Sequence, residues 1–247
     1  MDKNKDINCQ DKRLKGVVQL AKDWKSPWTG KVSVKGTVVN LVAVCDFEKL
    51  EISIPMPSAP AMFINMANEM YNKAIKLREK IFENVDYTKK GRLSLDGWDG
   101  SIIDYFELMA GAYIYSTTAI ESFVNESIPD DYIYNKTRND KKCTESYNKD
   151  QIERYLSLDE KISDILPQIF DIKLPKGKRL YQNYIHARQI RDRIIHMKSR
   201  DRKSGEKKTI WNDLLNKTQS NPTSVTIELI KHFHPNNNYP RWLQLIL

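Results

Sequence analysis

YIHARQIRDRIIHMKSRD, residues 184–201, is the stretch on which the reading of this chain turns. Leu180, Tyr184, Ala187, Ile190, Ile194 and Met197 recur every three or four residues, which is the apolar stripe of a helix packed on one side. The spacing predicts a helix over about 178–200, entered after Pro175 and Gly177. The same segment carries a polar set: Arg188, Arg191, Asp192 and His196. Asp192 and His196 are i, i+4 neighbours, as are Arg188 and Asp192. Arg191 and His196 are five apart, roughly 140° around the axis, so they flank one shallow site without touching face to face. A second copy of the helix would close that site better.

The charge of the chain points to the same place. The net charge is +8, and residues 178–208 hold eleven Lys/Arg against three Asp/Glu. The 29 basic and 29 acidic residues elsewhere cancel, so the whole excess surrounds this helix and the turn after it. Such a local patch suits a phosphate-bearing partner, and equally a solvated face of a lysine-rich protein.

Working outward, helical spacing dominates. Phe63, Met66, Ala67, Met70, Ala74, Leu77 and Ile81 mark a first long helix after Pro60. Phe106, Met109, Tyr113, Ile120 and Phe123 mark a second, ending near Ser127 and opened by a Ser101/Asp104 capping pattern. Residues 129–149 read as a loop and 150–156 as a short helix. Ser157 and Glu160 open another helix expected to stop near Pro167, and a last one is expected at 224–233. By contrast, residues 31–54 alternate Val, Ile and Leu with polar residues and read as strands, closed by Pro55, Pro57 and Pro60. The expected fold is mainly α, a helical bundle with a small β-rich N-terminal region: residues 1–58, then 59–247 with a C-terminal extension.

Composition narrows the function classes. Hydrophobic residues make up 40% and Gly numbers 9, which suits a helix-rich globular chain. Cys9, Cys45 and Cys143 form no CxxC pair, so neither a disulfide framework nor a zinc ribbon is indicated. The opening MDKNKDINCQDKRLKG lacks an apolar signal region, and no apolar run reaches the ~18 residues of a membrane span. A cytoplasmic protein with no membrane partner is expected. The chain carries no Walker loop, GxGxxG, HExxH or GxSxG motif, and neither cofactor nor metal is expected. His232 and His234 form an HFH pair without a neighbouring acidic or cysteine ligand.

The run Arg191-Asp-Arg-Ile-Ile-His196 resembles the motif of the HEPN family: an Arg followed after four to six residues by His, with a polar residue directly after the Arg. Asp192 fills that polar position. AIESFVNE, residues 119–126, is similar to the long-helix segment of stand-alone bacterial HEPN proteins, and the order of segments matches over roughly residues 60–200. His186, Arg188 and Arg193 add charge around the motif that departs from the plain pattern. The resemblance implies a HEPN-like bundle and a metal-independent endoribonuclease. It also implies a homodimer meeting through the 178–200 helix, a toxin or antiviral defence role, and an antitoxin or other regulatory protein partner.

On this reading His196 is the acid/base, Arg191 stabilises the transition state and Asp192 orients one of them. Arg188, Lys198, Arg200 and Arg202 hold the RNA, and Glu121 and Asn125 support the Arg/His helix. The N-terminal region is the candidate regulator. Blander readings stand beside it: Asp192 as a mere helix ion pair, the 198–208 cations as a solvated loop, Tyr184 as core, and the five tryptophans as packing. The alternative to an enzyme is a catalytically inactive HEPN-like module that binds nucleic acid or a protein.

Overall fold

The computed structural model describes residues 11–86, 88, 91, 95, 100–137, 144–173, 177–215 and 220–247. The chain divides into two units: residues up to 62 together with 238–247, and residues 63–237. The last ten residues, read from the sequence as an extension of the helical region, therefore belong to the N-terminal unit.

That first unit is built from hairpins. β1 (Val17–Gln19) pairs with β4 (Val38–Asn40), β2 (Trp24–Lys25) with β3 (Val32–Ser33), and β5 (Val42–Phe47) with β6 (Leu50–Pro55), all antiparallel. β1 and β2 lie in a stretch the sequence reading left unassigned. In the longest hairpin the register sets Ala43 opposite Ile54, Cys45 opposite Ile52 and Phe47 opposite Leu50, so one face is apolar. Glu48, at φ 54, makes the reversal between the two strands. The short C-terminal helix α9 (Arg241–Gln244) is tied in by Arg241, whose Nη1 donates to the Leu14 carbonyl at 3.4 Å. Gly16 lies at φ 89, and a Cβ there would stand 2.8 Å from the Arg241 side chain, so the position requires glycine.

In the second unit α2 (Ser101–Ser127) and all but the first turn of α1 (Ala59–Ile81) form where the 3–4 spacing places them. α2 starts from Gly100 at φ 88, with no side-chain cap from that residue, instead of the Ser101/Asp104 box expected. α6 (Arg179–Ile195), α7 (Ile210–Leu215) and α8 (Pro222–His232) pack on α2. Their common core contains Ala74, Ile81, Tyr105, Met109, Tyr113, Ile190, Ile210 and Leu214. α7 was hidden in the sequence by the basic loop before it. The buried Tyr105 hydroxyl donates to the Leu214 carbonyl at 2.6 Å and fixes α7 against α2. Thr226 of α8 does the same with the Ser116 carbonyl at 3.1 Å.

Two expectations change between α2 and α6. Residues 129–149 hold a hairpin, β7 (Tyr134–Thr137) with β8 (Thr144–Tyr147), where a loop was expected. Tyr134 anchors it by packing with Ile128, Ile152 and Ile165, a long-range contact that local polarity does not reveal. Asn148 and Gln151 then make a reciprocal capping box that opens α3 (Lys149–Tyr155).

The next helix does not stop at Pro167. It begins as α4 (Leu158–Glu160), widens to a π-helical stretch over Lys161–Ile165, and continues as α5 (Leu166–Phe170). The wide turn sits directly before the ring that would otherwise clash with the preceding carbonyls, so proline is accommodated rather than terminating. Ser157 Oγ accepts from the Glu160 amide at 3.2 Å.

Replacing Tyr105 by Phe leaves the Leu214 carbonyl without its buried donor. Urea denaturation of Tyr105→Phe is expected to show a loss of about 1–3 kcal/mol with the slope unchanged.

Candidate functional site

α6 is held to the core by Tyr184 and Ile190, the buried residues of its apolar stripe. It ends one residue before the histidine. Ile195 is the last helical residue, and His196 is the C-cap at φ −113, ψ 59, its amide donating to the Asp192 carbonyl at 2.8 Å. The helix expected to run to about 200 thus stops short, and Ser199–Arg202 form a separate 3-10 turn.

The cause is Asp201. Its side chain is fully buried: Oδ2 accepts from the Lys198 amide at 3.0 Å, and Oδ1 accepts from the Ile210 amide at 2.8 Å and from Arg193 Nη2 at 2.8 Å. Its carbonyl accepts the Trp211 indole N–H at 2.9 Å. Arg193 also pairs with Asp213. The carboxylate thereby captures amides on both sides of the basic turn and pins them to α6 and α7. Burial alone would raise the Asp201 carboxyl; the two amides and the Arg193 guanidinium outweigh it and hold it below its ordinary value. Arg193, which in the sequence looked like surplus charge beside the motif, is the internal strut of this arrangement.

The candidate residues fall into three groups. Arg191 and Asp192 are together, with Nη1 to Oδ1 at 2.9 Å, both part-exposed, so the pair positions the guanidinium more than it stabilises the fold. His196 is exposed at the end of the same helix, and Lys198, Arg200 and Arg202 are exposed on the turn that Asp201 holds. Ile195, 50% exposed, lies i+4 from Arg191 and i+3 from Asp192, an apolar residue on a charged face.

Arg188 is drawn elsewhere: it pairs with Asp159 on α4, and the buried Tyr184 hydroxyl also donates to Asp159 at 3.3 Å. Burial, reinforced by the Asp159 charge, raises the Tyr184 hydroxyl, which is a core residue as its stripe position implied.

No protein-family model, no curated protein and no solved structure matches the chain.

Glu121 and Asn125 do not support the Arg/His helix as expected. Glu121 is exposed, and Asn125 Oδ1 accepts from Lys161 Nζ at 3.0 Å. Lys161 is 1% exposed within the π-helical stretch, and its ammonium also donates to the Glu153 carbonyl at 2.9 Å. Burial lowers its pKa, against the pull of Glu121 and Glu153. The sequence did carry a signal for it: Lys161 occupies an apolar-stripe position among Leu158, Ile162 and Ile165.

His232 bonds the Lys173 carbonyl at 2.9 Å, and His234 packs against Phe123 and Phe170, with burial lowering its pKa. Among the described residues no group of three His, Cys, Asp or Glu is placed to hold a metal ion, and no helix is long and apolar enough to cross a membrane. A polar cleft of about 640 Å³ beside β7 is lined by Asp159, Glu160 and Asp164 against the single cation Lys136, a net negative charge of the wrong sign for phosphate. Of the tryptophans, Trp242 is core, whereas Trp24 (40%) and Trp28 (50%) are exposed, and Trp98 lies outside the described residues.

Asp201→Asn is expected to lose about 1.5–3 kcal/mol at neutral pH, from weakened bonds to Arg193 and the two amides. Because the folded carboxyl titrates below its unfolded value, its contribution is present at neutral pH and fades as pH falls below about 4. Thermal melts from pH 7 to pH 3 should show that portion of the acid sensitivity in wild type and not in the variant.

Proposed function

We propose that the chain is a metal-independent, HEPN-type endoribonuclease that works as a homodimer joined through α6, in a toxin or defence setting. The observation that carries the reading is the exposed end of α6. Arg191, oriented by Asp192, and the exposed His196 share it with the cations of a turn that a buried carboxylate holds in place.

RNA brings its own nucleophile, the 2′-hydroxyl next to the scissile phosphate. One His196 takes the proton of that hydroxyl, and its oxygen bonds to phosphorus. The bond from phosphorus to the 5′-oxygen breaks, and the partner's His196 protonates the leaving oxygen. The products are a 2′,3′-cyclic phosphate and a 5′-hydroxyl. Arg191 supplies fixed positive charge to the phosphorane-like transition state. Lys198, Arg200 and Arg202 attract the phosphate backbone; Arg188, engaged with Asp159, contributes to RNA only if that pair opens.

A single chain presents one His196 at this site, so the two-proton chemistry asks for a second copy, and the half-exposed Ile195 is the apolar contact available at the axis. In this reading an antitoxin or other regulatory partner, or the N-terminal unit, restrains the enzyme.

Incubation of labelled mixed-sequence RNA in EDTA should give fragments with cyclic phosphate ends. His196→Ala should slow the reaction by about 10²–10⁴-fold. Intact RNA with wild type and variant alike, at concentrations where the RNA is bound, would favour the inactive binding module instead. Separately, Ile195→Asp should sediment as a monomer, keep its helical circular dichroism and lose cleavage; a variant that remains dimeric would place the interface elsewhere.

A further inference from the structure

Alongside the Arg191/His196 end of α6 the second unit holds an apolar cavity of about 270 Å³. Its walls include Phe106 and Ala110 of α2, Ile194 and Met197, which bracket His196 in the chain, and Trp211 of α7. Glu107 is the one charged residue among its described lining residues. The pocket is preformed: the Trp211 indole is held by the Asp201 carbonyl at 2.9 Å and rests 5.1 Å from the Phe106 ring. Its mouth is open, with Trp211 36% and Ile103 56% exposed. Leaving that much apolar surface wet costs free energy that an occupant would recover.

The chain itself says what borders the cavity. Residues 198–208 run from the Met197 wall to the wall of Ile210 and Trp211. In that span Lys198, Arg200, Arg202, Lys203, Lys207 and Lys208 are all exposed. The occupant therefore combines a flat apolar body with attached negative charge. A nucleotide joins the two in one unit: its base stacks on the indole beside the Phe106 ring, and the phosphates on either side of it meet the cations.

We propose that this cavity receives one base of the RNA substrate, stacked on Trp211, beside the cleaved phosphate. This rests on the ribonuclease reading for its biological meaning, but it is measured by binding alone.

The probe is a 12-residue RNA carrying one 2-aminopurine, titrated onto full-length His196→Ala protein, which keeps the pocket and should not cleave. Stacking on the indole should quench the probe. Ala110→Phe in the same background fills the cavity without changing charge. It should abolish the quenching and weaken binding roughly 10-fold, with the salt dependence unchanged. Should Ala110→Phe fail to fold, Trp211→Ala gives the same test by removing the platform.

Binding without quenching, or quenching that survives both pocket variants, overturns the proposal while leaving the ribonuclease reading intact if wild type cleaves. Pocket-dependent quenching in a protein whose wild type does not cleave bound RNA supports the pocket and overturns the nuclease. A shift from dimer to monomer on filling the cavity, in the absence of RNA, assigns the pocket to a second copy of the chain and overturns the base site.

Discussion

A fully buried aspartate orders the end of the helix where the candidate chemistry lies. An ionised carboxylate can leave water only if its lone pairs are taken, and Asp201 has them taken by two backbone amides and the Arg193 guanidinium. Those partners belong to α6, to the basic turn and to the start of α7. Satisfying one charge thus ends α6 at Ile195, makes His196 a cap rather than a helical residue, and gathers α6, the turn and α7 around the carboxylate. The Trp211 indole, hung from the same residue's carbonyl, turns the arrangement into one wall of a pocket.

The remaining charges sort themselves by the same rule. Arg193 is inward and doubly paired, so it is structural. Arg191 is part-exposed and pairs with Asp192, its neighbour in the chain. Arg188 is engaged by Asp159, which also takes the Tyr184 hydroxyl. Three arginines within six residues of one helix therefore have three different roles, and what separates them is the carboxylate each one meets.

Lys161 shows the complementary case on the other side of α2. A buried ammonium is tolerated there because Asn125 and the Glu153 carbonyl accept from it. Asn125 of α2 thus supports the π-helical stretch through Lys161. The N-terminal unit follows a different logic: two-stranded hairpins with little burial, whose exposed Val, Ile, Leu and Phe residues set it apart from the well-filled helical core.

Local pattern was enough for much of this molecule. The 3–4 spacing of Phe63 to Ile81 and of Phe106 to Phe123 placed α1 and α2, the Val/Ile alternation in 31–54 placed the strands from Val32 to Pro55 but not their partners β1 and β2, and the charge count located the basic turn. These features are legible because they depend on neighbours within one or two turns of chain. What needed the tertiary structure was each feature set by a distant partner. The β7–β8 hairpin depends on Tyr134 meeting Ile152 and Ile165, the passage through Pro167 on a widened turn, the C-terminal residues' place in the first unit on Arg241 reaching Leu14, and the role of every arginine near the motif on Asp159, Asp201 or Asp213. A sequence displays how many charges a helix carries; only the folded chain decides which are buried and paired and which stay in water, because that depends on the free energy of desolvation at each position.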